Sequence, residues 1–158
     1  MFGFRKKKEK NLYMPVAGEI VELAEVDDPV FSQKMMGDGF AVEPSGEIIF
    51  APLSGTIMAL QGHAVGFKRE DGLECLLHLG LDTVSLEGEP FSYNIAEGDV
   101  VTGGQEIGRV DWKKVEDAGL KKTSMLVFTS MTMGKQVSFS VNQAIKSAGE
   151  LVGHAEFI

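Results

Sequence analysis

Short apolar stretches alternate with polar residues and glycines along most of the chain, and none runs long enough for an extended helix. Residues 18–23, 47–50, 55–60, 65–67, 73–79, 107–110, 125–128 and 136–141 are rich in branched and aromatic side chains. Brief strands at this spacing, parted by turn residues, predict an all-β fold, an antiparallel sandwich or barrel, rather than alternating strands and helices. A few short helical turns interrupt it. The pattern predicts helical turns at 30–36, at 112–118 with Gly119 as the stop, and at 143–148.

Two details refine the picture. The run Met14-Pro15-Val16-Ala17-Gly18-Glu19-Ile20-Val21 is echoed by Ala51-Pro52-Leu53-Ser54-Gly55-Thr56-Ile57-Met58. A proline entering a strand and a glycine bending it suit the edge of a curved sheet, and two copies point to a barrel of two related halves. Between His63 and His78 lies Asp71-Gly72, the preferred pair for a two-residue hairpin. With that loop, Glu70 faces Leu73, His78 faces Val65, and His63 becomes the diagonal neighbour of His78 on one face, about 7–8 Å away between Cβ atoms. A slip of one residue would put the two on opposite faces.

At 158 residues the chain has room for about one domain, and no linker divides it. A basic, flexible tail over 1–11 and a single β domain over 12–158 are expected. The composition, 44% hydrophobic and 24% charged, is that of a globular protein, with no apolar run of about 18 residues to cross a membrane. The charges near the start are followed by Asn11-Leu12-Tyr13 rather than an apolar run, so no signal peptide is read. The one cysteine, Cys75, cannot form an internal disulfide, which fits a reducing cytoplasm. A net charge of −8 repels nucleic-acid phosphates. The charge is uneven, because Arg5, Lys6, Lys7, Lys8 and Lys10 follow Phe2 and Phe4. That tail is either simply solvated or a weak, reversible foothold on an anionic membrane surface through residues 1–10.

The chain has three histidines, and His154 has no acidic or cysteine neighbour at ligand spacing. For the other two, several chemistries stay open on spacing alone. Histidine is a common metal ligand, but two imidazoles without a third fixed ligand make a poor metal site, so none is assigned. Cys75 stands at odd spacing from His78 and should point to the other face, and there is no Gly-x-Ser-x-Gly elbow for hydrolysis. Two satisfied core histidines are the plain structural alternative.

The residues around His78 decide among these. Leu76-Leu77-His78-Leu79-Gly80-Leu81-Asp82-Thr83-Val84 resembles the phosphorylation-site signature of the glucose-type enzyme IIA family of the bacterial phosphoenolpyruvate-dependent sugar phosphotransferase system. Ala51 to Ile57 resembles the family's strand before its first histidine, and Val30 to Gly39 resembles its apolar docking segment. The likeness covers nearly the whole chain after the tail. The chain departs from the family in a shortened stretch between Thr56 and His63, at Gln61 where threonine is commoner, and at Cys75 and Ser130.

The resemblance implies a phosphocarrier in which His78 holds the phosphoryl group covalently and His63 stabilises it. The carbonyl of Gly80 would fix the ring of His78, and Gln61 would orient His63. The resemblance also implies that the phosphohistidine carrier protein HPr is the donor. The acceptor would be a cysteine on the IIB domain of a membrane sugar transporter (IIB/IIC), which drives sugar uptake and phosphorylation. No cofactor is implied. Phe31, Met35, Met36, Leu76 and Val84 match docking positions, and Asp28 and Asp82 match acidic positions that meet arginines on partners. Two rivals remain. One is a regulatory homologue of the same fold that no longer transfers. The other is a biotinyl/lipoyl-type carrier suggested by Ile95 to Gly104, although Met131-Thr132-Met133 lacks the lysine such carriers need and Lys135 is displaced.

Overall fold

The computed structural model describes residues 10–158. The membrane foothold expected of residues 1–10 therefore lies outside the described residues except at Lys10, which pairs with Glu156 at 2.6 Å. Asn11 already belongs to a strand, opposite His154.

Thirteen strands run β1 Asn11–Tyr13, β2 Gly18–Glu22, β3 Gly39–Pro44, β4 Ile48–Phe50, β5 Gly55–Gln61, β6 Ala64–Lys68, β7 Glu74–His78, β8 Phe91–Tyr93, β9 Val100–Val101, β10 Glu106–Val110, β11 Ser124–Val127, β12 Val137–Val141 and β13 Leu151–Phe157. Two short helices, α1 Pro29–Ser32 and α2 Trp112–Asp117, and three 3-10 turns complete the described chain. Seven strands form one sheet in the order β2-β3-β11-β7-β6-β5-β9, and two three-stranded sheets, β4-β10-β8 and β1-β13-β12, lie beside it. All the pairings are antiparallel. The expected all-β architecture is observed. Among the described residues, no helix is long and apolar enough to cross a membrane.

The echoed segments meet each other as a pseudo-twofold pair. Tyr13 N–H donates to the Pro52 carbonyl and Phe50 N–H to the Pro15 carbonyl, both at 2.8 Å. Gly149 N–H donates to Met14 and Gly104 N–H to Ala51, again both at 2.8 Å. Gly18 and Gly55, the glycines of the echo, press against the carbonyls of Glu43 and Lys68, where a Cβ would collide with backbone.

Strand alternation sorts side chains into two apolar clusters. Phe40, Val42, Cys75, Leu77 and Leu126 face the main core. Their neighbours Ala41, Leu76, Met125 and Val127 face outward into a second, smaller cluster, roofed by Leu23, Val26 and Phe31. Cys75 is buried on the face away from Leu76 and His78, as its spacing requires, and burial pushes its thiol up to about 12. Such a thiol is no nucleophile at neutral pH. Ser130 is also buried, and its hydroxyl accepts the Glu74 N–H at 2.8 Å, where β11 does not reach.

Three expectations need correction. The β6–β7 loop holds three residues, not two: Lys68 faces Glu74, and Arg69 N–H donates to the Leu73 carbonyl at 2.8 Å. Only Gly72 has a positive φ, +94°. The cause is Arg69, whose buried guanidinium forks onto Asp71 (Nε–Oδ1 2.9 Å, Nη2–Oδ2 2.8 Å) and donates to the Ala155 carbonyl at 2.7 Å. His78 therefore faces Ala64, not Val65. Helix α1 is shorter than 30–36: Asp28 caps it through Val30 N–H at 3.0 Å, and Lys34 at φ +60° ends the right-handed turn. Residues 143–148 form turns, because their backbone is spent on neighbours. Lys146 accepts from Gly18 N–H at 3.0 Å, and the Asn142 side chain accepts from Ala144 N–H at 3.0 Å. At 112–118 the expected helix forms, and Gly119 at φ +76° follows it.

Candidate functional site

Strand β7 ends on His78, with Leu77 and Leu79 fully buried on the core side, so the imidazole stands on the opposite face. The chain then turns sharply at Gly80 (φ +83°) and Asp82 (φ +60°). Thr83, itself buried, donates from its hydroxyl to the Leu79 carbonyl at 2.6 Å, and Leu81 N–H donates to the Lys121 carbonyl at 2.9 Å. This turn brings the Gly80 carbonyl back to His78 Nδ1 at 2.8 Å. A carbonyl only accepts, so Nδ1 carries the proton and Nε2 keeps a free lone pair. A side chain at Gly80 would meet Thr83 and the Lys121 carbonyl.

His63 lies not in a strand but in the two-residue turn between Gln61 and Ala64. Gly62 leads this turn at φ +44°, as a hairpin with glycine first requires. The register slip that should have separated the histidines occurs, yet their rings lie 5.0 Å apart between centroids, edge to face at 74°. A turn residue is free of strand alternation, and that freedom restores the encounter. The His63 carbonyl also accepts Leu79 N–H at 2.7 Å, which ties its backbone to the residue after His78.

Phe31 closes the other side of His78, ring to ring at 4.9 Å and 55°. It is only 4% exposed, so it packs the site from beneath. Leu76 and Met36 likewise pack against the second cluster. Met35 (64% exposed) and Val84 (63%) do project, as does Val30 (39%), which the sequence reading did not select. One oxygen of Asp28 is spent capping α1. Asp82 is exposed, and its side chain makes no capping bond. Gln61 is exposed, and among the described residues its amide makes no hydrogen bond to His63. The sequence reading also missed Tyr93, whose hydroxyl donates to the Gly62 carbonyl in the His63 turn. No local motif marks that contact, which crosses from one sheet to another.

Burial lowers the pKa of His78, and the neighbouring His63 lowers it further. The Gly80 carbonyl and the charges of Asp28 and Asp82 oppose these effects without reversing them. Burial also lowers His63. Both rings are thus neutral at pH 7. The sign of the pH effect follows. The unfolded chain takes up these protons first, so the stability they contribute holds above about pH 6.5 and is lost as pH falls below it. In an NMR titration both ring midpoints should fall below about 6.5; a midpoint above it for His78 would contradict this electrostatic picture.

Among the described residues, no group of three or more His, Cys, Asp and Glu is arranged to hold a metal ion. The arrangement instead offers one free imidazole nitrogen with a second imidazole beside it.

Comparison with known proteins gives the same chemistry a context. The family model described as phosphoenolpyruvate-dependent sugar phosphotransferase system, EIIA 1, matches residues 10–133. The chain is 46% identical over 127 residues to the glucose-specific EIICBA component of Streptococcus pneumoniae, covering 79% of this chain but 18% of that longer protein. It is 35% identical over 149 residues to the glucose-specific EIIA component of Staphylococcus epidermidis, covering 92% of this chain and 90% of the relative. The solved glucose permease IIA from Mycoplasma capricolum superposes with a TM-score of 0.81 at 36% identity, over 90% of this chain and 93% of that one. With the family model spanning both histidines and the fold shared almost end to end, the chain belongs to the EIIA 1 family of the phosphoenolpyruvate-dependent sugar phosphotransferase system and is a phosphotransferase component of it.

Proposed function

We propose that His78 is the residue that carries the phosphoryl group, through Nε2, and that His63 stabilises it in transit. The observation that carries this reading is the 2.8 Å bond between His78 Nδ1 and the Gly80 carbonyl. It leaves Nε2 as the nucleophile. In the first step the bond from phosphorus to the histidine nitrogen of HPr breaks as a bond to Nε2 forms. In the second, the bond to Nε2 breaks as one to the IIB cysteine sulfur forms. Nδ1 keeps its proton on the Gly80 carbonyl throughout, so His78 departs as a neutral imidazole, a good leaving group. The transferring group is already negatively charged, and positioning plus hydrogen-bond donors suffice for in-line transfer. His63, neutral and within one ring's reach, supplies a donor.

Donor and acceptor would dock over the same site. Met35 and Val84 provide exposed apolar contacts, with Val30 beside them on α1, and Asp82 provides a charge for partner arginines. Phe31, Met36 and Leu76 would act from beneath, holding that surface in place. The chain would work in the cytoplasm beside a membrane IIB/IIC transporter, and a weak membrane foothold of the basic tail would add to that encounter.

The experiment is incubation with phosphoenolpyruvate, enzyme I and HPr. One phosphate per chain, labile in acid and stable in base, is expected. No incorporation, or an acid-stable phosphate, would overturn the reading.

A further inference from the structure

We infer that Tyr93 is a positioning residue for phosphoryl transfer, acting through the turn that carries His63; this inference rests on the role proposed above for His63. Tyr93 belongs to β8, in the sheet β4-β10-β8, whereas His63 sits at the β5–β6 turn of the seven-stranded sheet. The phenol crosses between the two and donates to the Gly62 carbonyl, one residue before His63. A two-residue turn has few backbone bonds of its own to define its tilt. An external donor on its first carbonyl therefore fixes where the next side chain points.

Two further contacts make this a built arrangement. Gly62 is pressed against the backbone of Gly88, where a Cβ would come within 2.6 Å of the Gly88 Cα. The turn is thus backed by Gly88 and tied by Tyr93. The Tyr93 ring lies over Gly108, its strand partner, where a Cβ would stand 2.7 Å from Cδ1. Burial raises the phenol's pKa, so the hydroxyl keeps the proton it donates. Gln61, the residue expected to orient His63, makes no such contact and is exposed. The task falls to a residue thirty-one positions from Gly62.

Tyr93→Phe keeps the ring and removes only the donor. Its effect is read in two ways. In the unphosphorylated protein, the His63 ring signals in NMR should shift or broaden while those of His154, on a different sheet, stay put. In kinetics, return of phosphate from His78 to HPr should slow about tenfold, a part of what one aimed hydrogen-bond donor contributes. In a His63→Ala background the same substitution should slow it less than about twofold, because residues acting through one another are not additive. Unchanged His63 signals, or an equal slowing in both backgrounds, would overturn the inference. If instead His63→Ala alone transfers normally, the role given to His63 fails, and the ring signals still decide whether Tyr93 positions it.

Discussion

His78→Ala is expected to take up no phosphoryl group from phospho-HPr while remaining folded. The cysteine and the other two histidines are each less suited on physical grounds. Cys75 lies on the opposite face of β7, buried, with its thiol pushed up to about 12. His154 is exposed, but it sits in β13 of a separate sheet. His63 is near, yet among the described residues no carbonyl contact comparable to the one at His78 fixes either of its ring nitrogens. The fold should tolerate the change, because Leu77 and Leu79 rather than His78 fill the core. The loss of the Phe31 contact at 4.9 Å should cost about 1 kcal/mol, visible as a small drop in Tm. Mass spectrometry under basic conditions reads the result. Phosphate on the variant at the wild-type level would remove His78 from the mechanism.

His63→Ala should separate holding the phosphate from moving it. The nucleophile remains, so the variant should still become phosphorylated. What disappears is the imidazole whose ring stands 5.0 Å from that of His78, where it can donate to phosphoryl oxygens as charge spreads over them. Removing one aimed donor from such a transition state slows transfer roughly 10²–10³-fold. His63→Gln, which places an N–H at a similar reach but on a more flexible chain without the ring, should recover part of that loss. Rapid-quench kinetics of exchange with HPr would measure both variants, and a wild-type rate for His63→Ala would refute the stabilising role.

The fold was legible where backbone demands a particular residue. The two Pro-x-x-Gly segments could be matched by eye because a strand that bends against a neighbouring carbonyl needs glycine, and both Gly18 and Gly55 do so. The hairpin between the histidines was misread by one residue, because Asp-Gly serves two-residue and three-residue loops alike and the choice is made by Arg69, whose partner Ala155 lies far along the chain. The pairing of His63 with His78 was anticipated for the wrong reason: diagonal strand neighbours were expected, and a turn residue supplies the contact. The Gly80 carbonyl was legible because it lies two residues from His78, within reach of a single tight turn. The burial of Phe31 was not legible because α1 is too short for helical periodicity to tell its buried side from its exposed one. Tyr93 was invisible because nothing local sets its partner.

The central claim is that the Gly80 carbonyl reserves Nε2 of His78 for phosphorus, and the isomer of the phosphohistidine tests it most directly. In protein labelled with nitrogen-15 at histidine, phosphorylated by HPr and kept at basic pH, long-range nitrogen–proton correlation distinguishes the two ring nitrogens. The account predicts phosphorus on Nε2 of His78, with Nδ1 in the state of a hydrogen-bonded nitrogen. Phosphorus on Nδ1 of His78, or on His63, would contradict it.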